Sequence, residues 1–213
     1  MTTIMLVDDH DLVRTGVKRL LEDSGGLRVV AEATNGEDAM RLVRETNPDV
    51  VLMDINMPGL NGMEATPRLL RQKPNLKIII VSMHTEELYP QRVLKAGAMG
   101  YLTKGARIEE IVHAIREVLA GRRYITPEIA QRLALSQMEQ KTESPFDELS
   151  ARELQVVMMM LEGSSVADIS RSLNLSPKTV STYRHRIRGK LGAKTDVELT
   201  RLAMLHGLTE KTV

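Results

Sequence analysis

Cysteine and tryptophan are absent from this chain of 213 residues, and aromatic residues make up only 2% of it. Without cysteine no disulfide can form and no thiolate can hold a metal, which suits a reducing compartment. With so few aromatics the core has to be aliphatic, with the 13 methionines as filler. No apolar run approaches the ~20 residues that a membrane helix needs. The opening "MTTIMLVDDHD" has no basic leader and meets acids too early for a secretory signal, so a cytoplasmic location without membrane contact is expected. Neither sign of charge dominates, with 29 basic and 28 acidic side chains, and the net charge therefore says little about partners.

What is present falls into two unlike halves. From residue 1 to about 121, short apolar runs ("TIMLVD", "LRVVAEA", "DVVLMD", "LKIIIVSM", "GYLTKG") alternate with amphipathic stretches that have apolar residues at helical spacing. Five strands separated by helices predict a doubly wound parallel α/β sheet, and continuous apolar strands fit burial on both faces. Asn35 is the expected cap of "GEDAMRLVRET", and Gly121 ends the last helix of this half. Pro67 inside "NGMEATPRLLRQ" predicts a late start or a kink, and Pro90 the first residue of a shortened fourth helix after an extended "HTEELY". Residues 122–147 read as a linker with a helix after Pro127, and 148–213 as four short helices with tight turns.

The strand ends carry the chemistry. In an open α/β sheet, ligands bind beyond the carboxyl ends of the strands. Strand one ends at Asp8 and Asp9, strand three at Asp54, strand four at Ser82, and strand five at Thr103 and Lys104. Three carboxylates converging on one edge repel unless a cation sits among them, and an all-oxygen donor set suits Mg²⁺. A carboxylate beside that ion can attack a phosphoryl donor, with Lys104 and Ser82 neutralising and hydrogen-bonding the transferred oxygens. An acidic pair after a strand also suits the N-terminus of the next helix. His10 is read as a surface residue and not a ligand.

The set "VDDH", "LMDINMPGLNG", "VSM" and "GYLTKG" resembles the CheY-like receiver domain of two-component response regulators over residues 1–121. That resemblance implies Asp54 as phosphoacceptor, and Asp8, Asp9, Asp54 and the backbone carbonyl of Asn56 as Mg²⁺ ligands. It also implies Lys104 as the phosphoryl-binding cation, and Ser82 with Tyr101 as a switch pair in which Tyr101 turns inward. Met83 follows the switch serine, where many receivers carry a smaller residue.

In the second half there are ten basic and seven acidic side chains, and no acid stands between Asp168 and Asp196. "SVADISRSLNLSPKTVSTYRHRIRGKLG" predicts two helices, about 165–173 and 177–191, with Ser176 as cap and Pro177 at the first helical position. Val180, Tyr183, Ile187 and Leu191 recur at helical spacing and face the core, which leaves Ser181, Thr182 and His185 outward among arginines. Such a helix suits the major groove. The segment from "LSARELQVV" to "LSPKTVSTYRHRIRGKLG" resembles the NarL/FixJ (LuxR-type) DNA-binding domain. By that resemblance Ser181, Thr182 and His185 face base edges, flanked by Arg184, Arg186 and Arg188, and Lys178, Arg184, Arg186 and Lys190 are the candidates for phosphate contacts. The final helix has Leu199, Leu202, Ala203 and Leu205 on overlapping faces that suit core packing, and the resemblance implies that part of it also pairs two copies on an inverted repeat.

Together the halves predict a transcription regulator that is phosphorylated by a sensor histidine kinase and binds double-stranded DNA as a homodimer. It is not expected to be an enzyme. Within the family, "AGAMGYLTKGA" and "TYRHRIRGKLG" most resemble the GacA/UvrY regulators. Two other readings compete. A phosphatase or phosphotransferase of the haloacid-dehalogenase type needs a second acid two residues after the nucleophile, where this chain has Asn56. A phosphorylation-independent DNA-binding protein would have no use for Asp9, Asp54, Ser82 and Lys104 together.

Overall fold

Each apolar run becomes a strand of one parallel sheet: β1 (Thr2–Val7), β2 (Leu27–Ala33), β3 (Val50–Met53), β4 (Lys77–Ser82) and β5 (Gly100–Thr103). The computed structural model describes residues 1–138 and 144–208. A sixth strand, β6 (Tyr124–Ile125), corrects the expected count of five. It is two residues long and leaves no alternation to read. Its place is set by β5, where Gly100 and Tyr101 pair with Tyr124 and Ile125. A side chain at residue 100 would crowd the Tyr124 carbonyl at 3.2 Å, so glycine opens that edge.

The strand order is β2-β1-β3-β4-β5-β6, with every pairing parallel. The connecting helices are α1 (Asp11–Asp23), α2 (Gly36–Thr46), α3 (Gly62–Gln72), α4 (Leu88–Lys95) and α5 (Ile108–Leu119). Ile4, Leu6, Val50, Leu52, Ile79 and Leu102 pack against Ile111, Val112, Ile115 and Val118 of α5 in an aliphatic core. All four residues of β3 are buried, as a strand covered on both faces requires.

Asn35 caps α2 by accepting from the Asp38 amide at 2.8 Å. Gly121 follows α5 in the left-handed region, at φ +80°. Helices α3 and α4 both start earlier than their prolines suggest. Helix α3 starts on time, because the Asn61 side chain accepts from the Glu64 amide at 2.9 Å, and it runs on through Pro67. Helix α4 starts two residues before Pro90, so Leu88 and Tyr89 are helical and buried instead of extended. Pro90 is tolerated there because first-turn amides have no partner within a helix.

The described chain separates into two compact units, residues 1–85 and 89–131 in one, residues 86–88 and 132 onward in the other. Helix α6 (Pro127–Met138) and a 3₁₀ turn (Pro145–Glu148) lie in the stretch expected as linker. Residues 139–143 of that stretch, and 209–213 at the end of the last segment, lie outside the described residues.

The second unit is helical: α7 (Ala151–Leu161), α8 (Val166–Leu173), α9 (Pro177–Leu191) and α10 (Asp196–Leu205). Ser150 with Glu153, and Ser165 with Asp168, form reciprocal capping boxes that fix where α7 and α8 begin. Ser176 caps α9 with Pro177 at its first position, and Gly192 closes it at φ +65°. Leu154, Val157, Ile169, Leu173, Val180, Ile187, Leu199 and Ala203 are buried.

Candidate functional site

The register of the sheet decides what meets what. Val7 pairs with Met53, and Ser82 with Thr103, so Asp8, Asp54, Ser82 and Lys104 arrive at one edge. The site lies beside the switch in strand order between β1 and β3. Asp54 is 4% exposed. Lys104 Nζ lies 2.8 Å from Asp54 Oδ2 and 2.8 Å from Asp8 Oδ2, bridging the two carboxylates.

Burial pushes the Asp54 carboxyl above its ordinary pKa, against the pull of Lys104. Burial likewise opposes the Lys104 charge, but its hydrogen bonds to Asp54 and Asp8 outweigh this and hold the ammonium above its usual value. Ligand atoms of Asp8, Asp9, His10 and Asp54 lie within 4.8 Å of one another. That donor set, rich in carboxylate oxygen and free of sulfur, fits a hard divalent cation.

Loop 55–61, after the buried acid, is held from three sides. Gly62 donates its amide to the Ile55 carbonyl at 3.0 Å, and Gly36 donates to the Leu60 carbonyl at 2.8 Å. The Glu37 carboxylate accepts from the Leu60 amide at 2.9 Å, and the Asn56 amide donates to Asp54 Oδ1 at 3.3 Å. Asn56 Nδ2 donates to His84 Nε2 at 2.7 Å, while Asn56 Oδ1 is buried with no hydrogen-bond partner among the described residues.

Ser82 is buried and its Oγ accepts from the His84 amide at 3.1 Å. Tyr101 is fully buried, its hydroxyl donating to the His84 carbonyl at 2.8 Å. Met83 is 73% exposed.

Three contributors were not read from the sequence. His84 stacks on Tyr89 with ring centroids 4.1 Å apart, and thereby connects Asn56, Ser82 and Tyr101. Arg14 donates to the Asp8 carbonyl at 2.7 Å and fixes the β1–α1 turn from the helix side. Glu37 reaches loop 55–61 from α2. Glu37 and His84 bond to groups 23 and 28 residues away and Arg14 to a carbonyl six residues back, and a lone His, Arg or Glu in a helical or loop stretch gives no sign of that. His10, read as a surface residue, is exposed, yet its Nδ1 lies 2.9 Å from Asp9 Oδ1 and 3.1 Å from Asp8 Oδ1.

In the second unit, α8 and α9 are joined by three residues, with Asn174 in the left-handed region at φ +52°. Val180 and Ile187 of α9 are fully buried, and Tyr183 and Leu191 are partly so. Ser181, Thr182, His185, Lys178 and Arg186 are exposed. The two hydroxyls turn back onto their helix, Ser181 to the Pro177 carbonyl and Thr182 to the Lys178 carbonyl, both at 2.9 Å. Ser176, Lys178, Thr179, Thr182, Tyr183 and Arg186 line a surface groove of about 330 Å³. The other three cations have acidic partners: Arg184 and Arg188 with Asp196, and Lys190 with Glu153, each at 2.6 Å.

No helix among the described residues is long and apolar enough to cross a membrane. Residues 4–116 match the family described as response regulator receiver domain, and residues 147–203 match the bacterial regulatory proteins of the luxR family. The response regulator GacA of Pseudomonas aeruginosa is 53% identical over 211 residues, covering 99% of both chains. The response regulator UvrY of Escherichia coli K12 is 54% identical over 209 residues, covering 98% of this chain and 96% of that one. A solved two-component response regulator of the LuxR family from Aurantimonas is 45% identical, covers 65% of this chain and 99% of its own, and superposes with a TM-score of 0.63. A parallel sheet with its acids gathered at the switch point, followed by a helical unit with a helix-turn-helix, is thus matched along nearly its whole length, and the chain belongs to the two-component response regulators that join a receiver domain to a LuxR-type DNA-binding domain.

Proposed function

We propose that Asp54 accepts a phosphoryl group from a sensor histidine kinase, and that the acyl phosphate controls dimerisation and binding to an inverted DNA repeat in the cytoplasm. The observation that carries this reading is the Lys104 ammonium at 2.8 Å from both Asp8 and Asp54, a buried nucleophile with a fixed cation beside it. One Asp54 carboxylate oxygen attacks phosphorus, and the bond from phosphorus to the donor nitrogen or oxygen breaks. Lys104 then exchanges part of its contact with Asp54 for the new phosphoryl oxygens, and Ser82 turns its hydroxyl from the His84 amide to donate to a third. Asp8, Asp9, Asp54 and the Asn56 carbonyl would hold Mg²⁺, which neutralises charge on the phosphoryl oxygens when bound. Asn56 supplies no second acid for a phosphatase, and its amide is committed to His84.

On the DNA side, Ser181, Thr182 and His185 are the base-facing candidates, while Lys178 and Arg186 border the groove as phosphate contacts. Val197 and Leu205 on α10 are 79% and 73% exposed, apolar surface that a second copy would cover. The deciding experiment is selection from genomic DNA fragments, with and without Mg²⁺ plus beryllofluoride. Enrichment of a short inverted repeat only with the phosphoryl mimic supports the reading. Equal binding without it would make the receiver a passive module.

Three substitutions refine this picture. Arg186→Ala weakens binding about equally across sequences and flattens the plot of log affinity against log salt by about 0.9. His185→Ala shifts which sequences are selected, and a uniform loss there would remove His185 from the base-facing set. Met83→Ala shortens the lifetime of the aspartyl-phosphate, because the exposed thioether beside Ser82 shields it from water; an unchanged decay of ³²P label would refute that.

A further inference from the structure

The helix that carries the outward residues holds more cations than it presents. With 100° per residue, the buried side of α9 runs through Val180, Ile187 and Leu191, and Arg184 and Arg188 fall on one flank of it. Both are tied there. Arg184 Nη2 lies 2.6 Å from Asp196 Oδ2, and Arg188 Nη2 lies 2.6 Å from Asp196 Oδ1, so one carboxylate spans two guanidinium groups a helical turn apart.

Asp196 is placed for this by α10. Thr195 caps that helix, accepting from the Glu198 amide at 3.2 Å, and Asp196 is its first residue, where the helix dipole favours a negative charge. The Arg188 hydrogen bond, followed by the charges of Arg184 and Arg188, also holds the Asp196 carboxyl below its usual pKa against its own partial burial. Arg188 Nε is buried with no hydrogen-bond partner among the described residues, although the side chain as a whole is 35% exposed.

Sequence-independent affinity for DNA comes from cations that displace counterions at phosphates, and specificity is the ratio of site affinity to that background. We propose that Asp196 is an internal counter-ion that withholds Arg184 and Arg188 from DNA phosphates and so lowers the sequence-independent affinity of the chain for DNA. The proposal rests on the DNA-binding reading above. It leaves Lys178 and Arg186 as the phosphate contacts of α9 and makes the removal of an acid, not of a base, the change that most alters non-specific binding.

The test uses the full chain with Mg²⁺ and beryllofluoride, titrated with a random-sequence duplex across a salt series. Asp196→Asn steepens the slope of log affinity against log salt by up to about 1.8, which makes the loss between about 50 and 200 mM salt roughly tenfold larger than for the unaltered chain. Arg184→Gln with Arg188→Gln, made together with Asp196 intact, leaves the slope as it was. This second variant keeps the proposal falsifiable if Asp196→Asn does not fold, as checked by thermal melting. A shallower slope for the double variant means that both arginines already touch phosphates, and an unchanged slope for folded Asp196→Asn means that they are never released; either result overturns the proposal while the DNA-binding reading stands. If the unaltered chain binds no duplex at any salt concentration, the DNA-binding reading itself fails.

Discussion

Asp54→Asn takes up no phosphoryl group from a kinase or from acetyl phosphate, while its melting temperature in the absence of Mg²⁺ does not fall. The first half follows from chemistry, since a carboxamide oxygen is a poor nucleophile and would leave a charged imidate-like adduct instead of an acyl phosphate. The second half follows from the surroundings of Asp54. Burial raises its pKa above the value of a free carboxyl. A raised folded-state pKa means that the fold favours the neutral form, a stabilisation present below the unfolded value and lost as pH rises through the folded one. At neutral pH the charged form is therefore held at some expense, and a neutral isostere relieves it. Lys104 keeps its second partner, Asp8, at 2.8 Å and is not left alone. Radiolabel from acetyl phosphate and a thermal melt on the same sample check both halves. Label that persists in the variant would place the acceptor elsewhere, and a clear drop in Tm would mean that the Lys104 pair contributes more than burial takes away.

Much of this site is legible in the sequence because strand order does the assembling. Once "TIMLVD", "DVVLMD", "LKIIIVS" and "GYLTK" are read as parallel strands, their carboxyl ends share an edge, and Asp8, Asp54, Ser82 and Lys104 need no further information to meet. The same holds for α9, whose buried and exposed sides follow from helical spacing alone. What escaped was side-chain contact at long range. Glu37 and Leu60 are 23 residues apart, and His84 and Asn56 are 28 apart, with no periodicity to connect them. Strand β6 is defined by its neighbour's backbone and not by its own pattern. Pro90 does not mark the start of α4, because any position in the first turn of a helix admits proline. The pairing of Arg184 and Arg188 with Asp196 depends on how α10 returns beside α9, which α9's own residues do not encode.

Gly62→Ala pushes a new side chain against the backbone of Asp54, the proposed phosphoryl acceptor. A Cβ built there lies 2.1 Å from the Asp54 carbonyl oxygen and 3.0 Å from both the Asp54 carbonyl carbon and Ile55 Cα. All three are backbone atoms, so no rotamer change relieves the clash. Either the start of α3 lifts away, giving up the Gly62–Ile55 hydrogen bond and the Asn61 cap, or the backbone of Asp54 shifts and carries its carboxylate off Lys104. Overpacking typically costs about 1–3 kcal/mol, and a clash with backbone atoms alone puts this one at the upper end. For a unit of this size that lowers Tm by roughly 10 °C. The protein that remains folded takes up label from acetyl phosphate at least about tenfold more slowly, because a displacement near 1 Å is enough for that. Gly16→Ala is the matched control, since a Cβ at that exposed position in α1 meets nothing within 4 Å and replaces the helix-weakening glycine. It raises stability by up to about 1 kcal/mol. Opposite signs for two Gly→Ala changes in one unit cannot come from helix propensity, which favours alanine in both. They isolate the close approach of α3 to the Asp54 carbonyl as the reason that residue 62 is a glycine, and a Gly62→Ala protein with unaltered Tm and unaltered uptake would remove that reason.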